Sequence, residues 1–363
     1  MSDNFSGWLP FARVMNIKMR VGVKQATWIF IVAFLSGAVA CSEQAVSVYS
    51  GETMGTYYRV SYFGDTDHSQ DIEAILTSVN NSMSTWLPDS ELSRFNAIPY
   101  GTAVSLSPDL CEVVSFGLEL FVLSEGAYDI SIGQLVADSG FGPTSKVIES
   151  VDQDEMPDAA PFEAAVPLLM HNCELTRLTV SAMLDLSSIA KGFAVDKLAR
   201  FLESHGIGSY LVEIGGELRA GNSKPDGTPW RIAIEIPDIE GGVQHVIELT
   251  NIAIATSGDY RNFLEVDGRV ESHLMDPISG RSVRSEITSL SVLNISAMQA
   301  DAWATALFVM GPAHAMSAAH TAKMPVYMLL RSEQNDDPET ADSPGELAAI
   351  EVIANSFWRD HFD

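Results

Sequence analysis

The spacing of apolar and polar residues changes period several times along the chain. Residues 42–63, "SEQAVSVYSGETMGTYYRVSYF", alternate and are rich in Val and Tyr, which predicts a strand or hairpin around Gly55. Residues 71–86 switch to a helical period that ends near Pro88. Residues 107–128 repeat that period, with Ser107 as cap, Pro108 in the first helical position and Gly126 beyond the end. Residues 175–206 read strand, turn, helix. "SYLVEIGGELRAGN", "PWRIAIEIP" and "VIELTNIAIATSGDY" read as strands, and "NFLEVDGRVESHLMDP" as a hairpin turning at Asp267-Gly268. "MQADAWATALFVMG" (298–311) reads as a helix and "AAIEVIANSFW" (348–358) as a last strand. Long helices beside hairpin-like strands predict an α+β fold, with mixed, mostly antiparallel sheets packed with helices. Two stretches follow neither period. Residues 144–167 are acidic and proline-bearing, a mobile insertion or a weak helix pair, and residues 332–346 read as a flexible loop.

The N-terminus stands apart. Lys18, Arg20 and Lys24 precede "ATWIFIVAFLSGAVA", an apolar run short for a membrane span. It ends in Ala38-Val39-Ala40 before Cys41, as in a bacterial lipobox, whose cysteine is lipidated; the usual Leu is replaced by Ala38. Residues 1–41 are therefore expected to be an export signal, leaving a periplasm-facing lipoprotein anchored at Cys41. Ordinary cleavage after Ala40 and a retained anchor helix are the alternatives, and Met15 or Met19 is a candidate true start. In an oxidising compartment Cys111 and Cys173 either pair or stay as buried thiols.

Composition narrows the partners. Of 363 residues, 48 are Asp or Glu against 21 Lys or Arg, a net charge of −27. Such a surface repels nucleic acid, so an anionic ligand needs positive groups placed locally. The three cysteines have no CxxC spacing, which excludes a zinc pattern.

Three stretches suggest chemistry. In "DLSSIAKGFAVD", Ser187 or Ser188 is expected to cap a helix starting near Ile189. Lys191 lies in its first turn and Gly192 allows close approach. A helix start plus a lysine is an anion site; the alternative is a capped surface helix with a solvated lysine. Neither a Walker motif nor GxGxxG is present. Gly215-Gly216 interrupts a strand, as a bulge or a point of close approach. Ser257-Gly258-Asp259 reads as a turn, and His273 lies among Ser272, Asp276 and Arg281, just before Asp276-Pro277 ends a strand. In the apolar helix 298–311, Asp301 and Thr305 are four residues apart and share a face. Either they are a first-turn acid and a hydroxyl bonded back to its own helix, or they contribute oxygens to a hard-cation site.

Taken together, "ETMGTYY", "STW…SELSRFN", "AYDISIGQLV", "DLSSIAKGFAVD", "VEIGGELRAGN", "ATSGDYRN", "SHLMDPISG" and "QADAWATALFVMG" strongly resemble the FAD:protein FMN transferase (ApbE) family, in the family's order over residues 46–330. The resemblance implies a T-fold-like architecture with one large catalytic domain over 46–363. It implies FAD as substrate, Mg²⁺ as cofactor, transfer of FMN to a Thr or Ser hydroxyl, and release of AMP. The acceptors it implies are flavoprotein subunits of membrane electron-transfer complexes. Asp301 and Thr305 would then be side-chain metal ligands, with carbonyls from around Ser188 and Ala304. Met54, Trp86, Ala127, Tyr128, Asp129, Asp185, Lys191 and Met275 would contact FAD, and His273 would orient or deprotonate the attacking hydroxyl. The chain departs from the family at Gln134, often Pro, and at Ser187 or Ser188, often Gly. The alternatives are an FAD pyrophosphatase, with water in place of the acceptor, and a non-catalytic FAD-binding lipoprotein.

Overall fold

A computed structural model describes residues 45–143, 167–236, 242–258, 263–266, 269–331 and 350–362. The export signal with Cys41, the acidic stretch 144–167 apart from its last residue, and the loop 332–346 lie outside the described residues. The main sheet runs, in spatial order, through Val46–Thr53 (β1), Thr56–Phe63 (β2), Tyr210–Ile214 (β6), Glu217–Ala220 (β7), Ile252–Gly258 (β10), Ile287–Asn294 (β15), Val326–Arg331 (β16) and Ile350–Ala354 (β17). Every neighbouring pair is antiparallel. Smaller sheets are Ala103–Ser105 (β3) with Leu168–His171 (β4) and Glu174–Arg177 (β5), Trp230–Glu235 (β8) with Val243–Leu249 (β9), Phe263–Val266 (β11) with Arg269–Ser272 (β12), and Met275–Asp276 (β13) with Arg281–Ser282 (β14).

Strand alternation divides the core. Ala253 and Ala255 join Val60, Tyr62, Val212, Leu290 and Val292 on one face of the main sheet. Four long helices feed that core, Ser69–Met83 (α1), Pro108–Leu123 (α3), Ala190–Ser204 (α5) and Ala297–Thr321 (α6), together with Leu92 and Phe95 of a short one. Ile254, Leu218 and Ala220 point the other way and are covered by β8, β9 and Trp358 of Ser356–Phe362 (α7). Two short helices, Glu91–Ala97 (α2) and Gly133–Asp138 (α4), lie in the connections around the main core. A disulfide joins Cys111 of α3 to Cys173 at the β4–β5 turn, with Cα atoms 5.4 Å apart. Of the two states open to these cysteines, the structure contains the bonded one.

Two hairpins set one end of the sheet. Met54 (φ 49°) and Gly55 (φ 73°) turn β1 into β2, and Gly215 (φ 63°) and Gly216 (φ 109°) turn β6 into β7. Both are two-residue turns with positive φ, the kind that suits strand twist. They lie side by side, because the Gly215 N–H donates to the Tyr57 carbonyl at 3.0 Å. A Cβ on Gly215 would stand 2.8 Å from Thr56.

Several sequence expectations are corrected. Helix α1 stops at Met83, because the Ser84 hydroxyl accepts the N–H groups of Trp86 and Leu87 and turns the chain out of the helix. Ser257 and Gly258 are not a turn; they extend β10 by pairing with Leu290 and Ser289. The last strand ends at Ala354, and buried Asn355 starts α7 by accepting the Trp358 N–H at 2.9 Å. Helix α6 runs past Gly311 to Thr321, with a break at Gly311 (φ 73°) just before Pro312.

Candidate active site

Helices α5 and α6 meet at their N-terminal turns. A Cβ on Gly192 would lie 2.3 Å from the Ala297 carbonyl oxygen, so only glycine permits this approach. Contact this close lets each helix cap the other. The Gly192 N–H donates to Asp301 Oδ2 at 2.9 Å. In return Asp196 accepts the N–H groups of Ala297 and Met298, both at 3.0 Å, and the Ser296 hydroxyl at 2.6 Å. The first four N–H groups of a helix lack intrahelical partners, and each acid fills part of that need across the interface.

Asp301 therefore does not serve its own helix. Helix α6 starts at Ala297, which puts Asp301 beyond the first turn, where it faces the positive end of α5 instead. The expected serine cap is also corrected. Ile189 is the residue before α5 and neither serine caps it: the Ser187 hydroxyl donates to Asp185 at 2.5 Å and the Ser188 hydroxyl to Tyr128 at 3.0 Å.

Lys191 lies on the same first turn. Its ammonium is 3.3 Å from the Ser187 carbonyl, 3.3 Å from Glu217 Oε1 and 3.8 Å from Asp301 Oδ1. Glu217 leads out of the Gly215-Gly216 turn and is only 4% exposed. Its Oε2 has no hydrogen-bond partner. Burial pushes the Glu217 carboxyl upward, against the pull of Lys191 beside it. Burial likewise raises Asp301, opposed by Lys191 and by the Gly192 N–H. Burial works against charge on Lys191, but Asp301 and Glu217 outweigh it and hold the ammonium above its ordinary range.

Thr305, one turn after Asp301, does not bond back to its own helix. Its hydroxyl lies 3.2 Å from that of Ser257 at the end of β10. Tyr128 is buried, which raises its phenol, and the carboxylates of Asp301, Asp185 and Asp129 add to that rise. Asp129 is raised by burial, while its bond from the Ser131 N–H at 2.7 Å opposes the shift. Asn96 of α2 fixes the next stretch by pairing both ways with the Leu184 backbone, at 2.8 and 2.9 Å, which places Asp185.

The structure thus brings Tyr128, Asp129, Asp185, Ser188, Lys191, Asp301, Ala304 and Thr305 to one end of the main sheet. Met54 stands at the same end, on the hairpin beside the Glu217 turn, in a left-handed conformation that methionine rarely adopts. Asn80, near the end of α1, donates to Thr53 at 3.0 Å, so the loop with Trp86 (65% exposed) leaves from that hairpin. Ala127 and Met275 are buried. His273 packs against Phe141 with ring centroids 6.3 Å apart. Phe141 lies just beyond α4, whose Gly133 N–H donates to the Met183 carbonyl at 2.8 Å.

Sequence reasoning missed Glu217, Asn96, Ser257 and Asp196 as parts of this arrangement. A signal for Glu217 existed: strand alternation puts it and Arg219 opposite Leu218 and Ala220, on the face that packs against helices. Along that face Lys191 meets Glu217 and Asp196 meets Arg219, at 2.7 Å for the second pair. Five helical residues and two strand residues both rise roughly 7 Å, so the rungs match.

Among the described residues no three His, Cys, Asp or Glu side chains converge as a metal cluster. What converges is a mixed oxygen set. Asp301 Oδ1 lies beyond hydrogen-bond reach of Lys191, and two hydroxyls stand one turn away. Oxygen-only donors of that kind suit a hard divalent cation, and the start of α5 with Lys191 suits phosphate. The fold and site together present an enzyme-like centre, in which a lysine at a helix start faces two buried carboxylates and two hydroxyls.

The chain belongs to the ApbE family, whose model matches residues 54–328. It is 39% identical over 314 residues to the FAD:protein FMN transferase of Vibrio cholerae, covering 84% of this chain and 94% of that protein. It is 34% identical to the FAD:protein FMN transferase of Escherichia coli K12, covering 82% and 88%. The solved flavin transferase ApbE from Vibrio cholerae superposes with a TM-score of 0.73 at 35% identity, over 87% of this chain and 99% of that one. The apo form of Pseudomonas stutzeri flavinyl transferase ApbE gives 0.74 at 32%, over 88% and 97%.

Proposed function

We propose that this chain is an Mg²⁺-dependent FAD:protein FMN transferase. The observation that carries the reading is the junction of Lys191 and the α5 N-terminus with Asp301 and Thr305 on α6, in a chain with full-length transferase relatives. Asp301 and Thr305 would hold the ion with carbonyls around Ser188 and Ala304. That ion would supply neutralising charge to a pyrophosphate. Lys191 and the positive end of the α5 dipole favour the same phosphates. Met54, Trp86, Ala127, Tyr128, Asp129, Asp185 and Met275 line the flavin and its linkage. Methionine and aromatic side chains suit a flat, polarizable ring.

The acceptor hydroxyl oxygen bonds to the FMN phosphorus while the phosphorus–oxygen bond to AMP breaks. AMP leaves with the bridging oxygen, and His273 takes the hydroxyl proton. A buried site keeps water from replacing the acceptor. The acceptors are Thr- or Ser-bearing flavoprotein subunits of membrane electron-transfer complexes. The catalytic domain spans 46–363, exported and held at the periplasmic side of a membrane by a lipid on Cys41. The Cys111–Cys173 bond supports an oxidising compartment. Metabolic labelling with a palmitate analogue tests the anchor, since an unlabelled Cys41 removes it.

The direct assay incubates the protein with FAD, Mg²⁺ and candidate acceptor subunits and weighs the products. Transfer adds one FMN less one water to an acceptor, in step with AMP. Free FMN with AMP and an unmodified acceptor makes the chain a pyrophosphatase. Tight FAD binding without AMP makes it a carrier.

A further inference from the structure

Glu217 is the acid at this site that neither caps a helix nor completes its hydrogen bonds. Its Oε1 is 3.3 Å from Lys191 and its Oε2 is buried without a partner. Leaving a buried carboxylate oxygen unpaired is costly, so a purely structural role explains it poorly. The geometry of Lys191 suggests another. The ammonium is drawn closer to Glu217 than to Asp301, at 3.3 against 3.8 Å. Asp301 Oδ2 is already committed to the Gly192 N–H. If the ammonium closed on Oδ1 as well, both Asp301 oxygens would be occupied and a cation would have to displace the lysine.

We propose that Glu217 is a positioning residue that holds Lys191 off Asp301 and so keeps Asp301 Oδ1 available to the divalent cation. The inference rests on the metal reading given above. It assigns work to the Gly215-Gly216 turn, whose two positive φ values start β7 where the Glu217 side chain meets the first turn of α5. It also accounts for a lysine in the first turn of a helix, where the dipole alone disfavours it. Glu217 supplies the local negative partner without consuming the metal ligand.

The test is Mn²⁺ affinity, read by electron paramagnetic resonance as the further loss of free-ion signal on adding protein, with ADP at a fixed level as a non-reacting pyrophosphate and a protein-free Mn²⁺–ADP titration subtracted. Four proteins form a double-mutant cycle: wild type, Glu217→Gln, Lys191→Met and the double variant. Glu217→Gln should weaken Mn²⁺ binding by about tenfold or more, the range for groups that orient a metal ligand. In the Lys191→Met background the same change should do little, because no ammonium remains to be held. Glu217→Asp keeps the charge but shortens the reach, so it should fall between wild type and Glu217→Gln. It also gives the answer if the glutamine variant does not fold. An unchanged affinity in Glu217→Gln overturns the inference. So does an equal loss in both backgrounds, which would make Glu217 a through-space charge only. If wild type takes up no Mn²⁺, the metal reading itself fails, a result distinct from either of these.

Discussion

Helices α5 and α6 carry two buried charged clusters, and the two differ in how completely their polar atoms are paired. At Asp196, both carboxylate oxygens are used by Ser296, two backbone N–H groups of α6 and Arg219. One turn and a half away, Asp301 has a single short bond, Glu217 has an orphan oxygen, and Lys191 sits between them at 3.3 and 3.8 Å. Both clusters cap a helix and both join α5 to β7 or α6. Under the proposed function the complete one is structural, and the incomplete one keeps its spare acceptors for the cation and the phosphates. Pairing, rather than burial or charge, separates the two roles.

That distinction can be broken at either cluster. Asp196→Ala should be the most damaging to the fold, at about 2–4 kcal/mol, because it unpairs Ser296 and two N–H groups of the α6 N-terminus and leaves Arg219 with Glu203 alone. Urea denaturation measures it, and a loss below about 1 kcal/mol would put Asp196 among the incidental caps. Lys191→Ala should leave urea stability near wild type while weakening FAD binding by about tenfold or more, worth ~1.5–3 kcal/mol for a charged contact. Unchanged FAD affinity by titration would reduce Lys191 to a structural partner of Glu217 and Asp301. Gly192→Ala strikes both clusters, since its Cβ would collide with the Ala297 carbonyl. Parting the helices should cost about 1–3 kcal/mol and lower FAD affinity together. A stable variant with intact binding would show that the close approach is unnecessary.

The smallest effect concerns pH. Burial raises Glu217 above its ordinary 4.5, against the pull of Lys191, so in the window above that value the folded protein binds more protons than the unfolded chain. Its contribution to stability therefore falls as pH rises through that window. Glu217→Gln removes this slope, and its stability relative to wild type should improve from pH 5 to pH 8 without metal. Parallel denaturation curves at the two pH values would show that Glu217 stays ionised throughout.

Local pattern carried the fold further than it carried the site. Hairpins at Gly55 and between Val266 and Arg269, the Ser107 cap of α3 and the helix after Ile189 are all local, and periodicity or capping chemistry exposes them. Where the pattern misled, a hydroxyl or an amide had a competing partner: Ser84 ended α1 early, Asn355 converted a strand end to a helix, and Ser187 and Ser188 bonded to Asp185 and Tyr128. Asp301 stood out as an acid in an apolar helix, yet its partner is 109 residues away in sequence. Glu217 lies 26 residues from Lys191, and nothing in the strand's own sequence names that partner. Family resemblance brought the motifs together; the geometry added Glu217, Asn96, Ser257 and the two-way capping.

The central claim is that the incomplete cluster is completed by a divalent cation and FAD. Asp301→Asn addresses it most directly, because asparagine keeps an oxygen for the Gly192 N–H and removes the charge. The measurement is AMP release from FAD against Mg²⁺ concentration, beside the melting temperature without metal, with Thr305→Val as the companion that loses one hydroxyl. Turnover should fall by about a hundredfold or more in Asp301→Asn and less in Thr305→Val, with both melting near wild type. Wild-type turnover at an unchanged Mg²⁺ midpoint in Asp301→Asn, or a collapse of stability in place of activity, would contradict it.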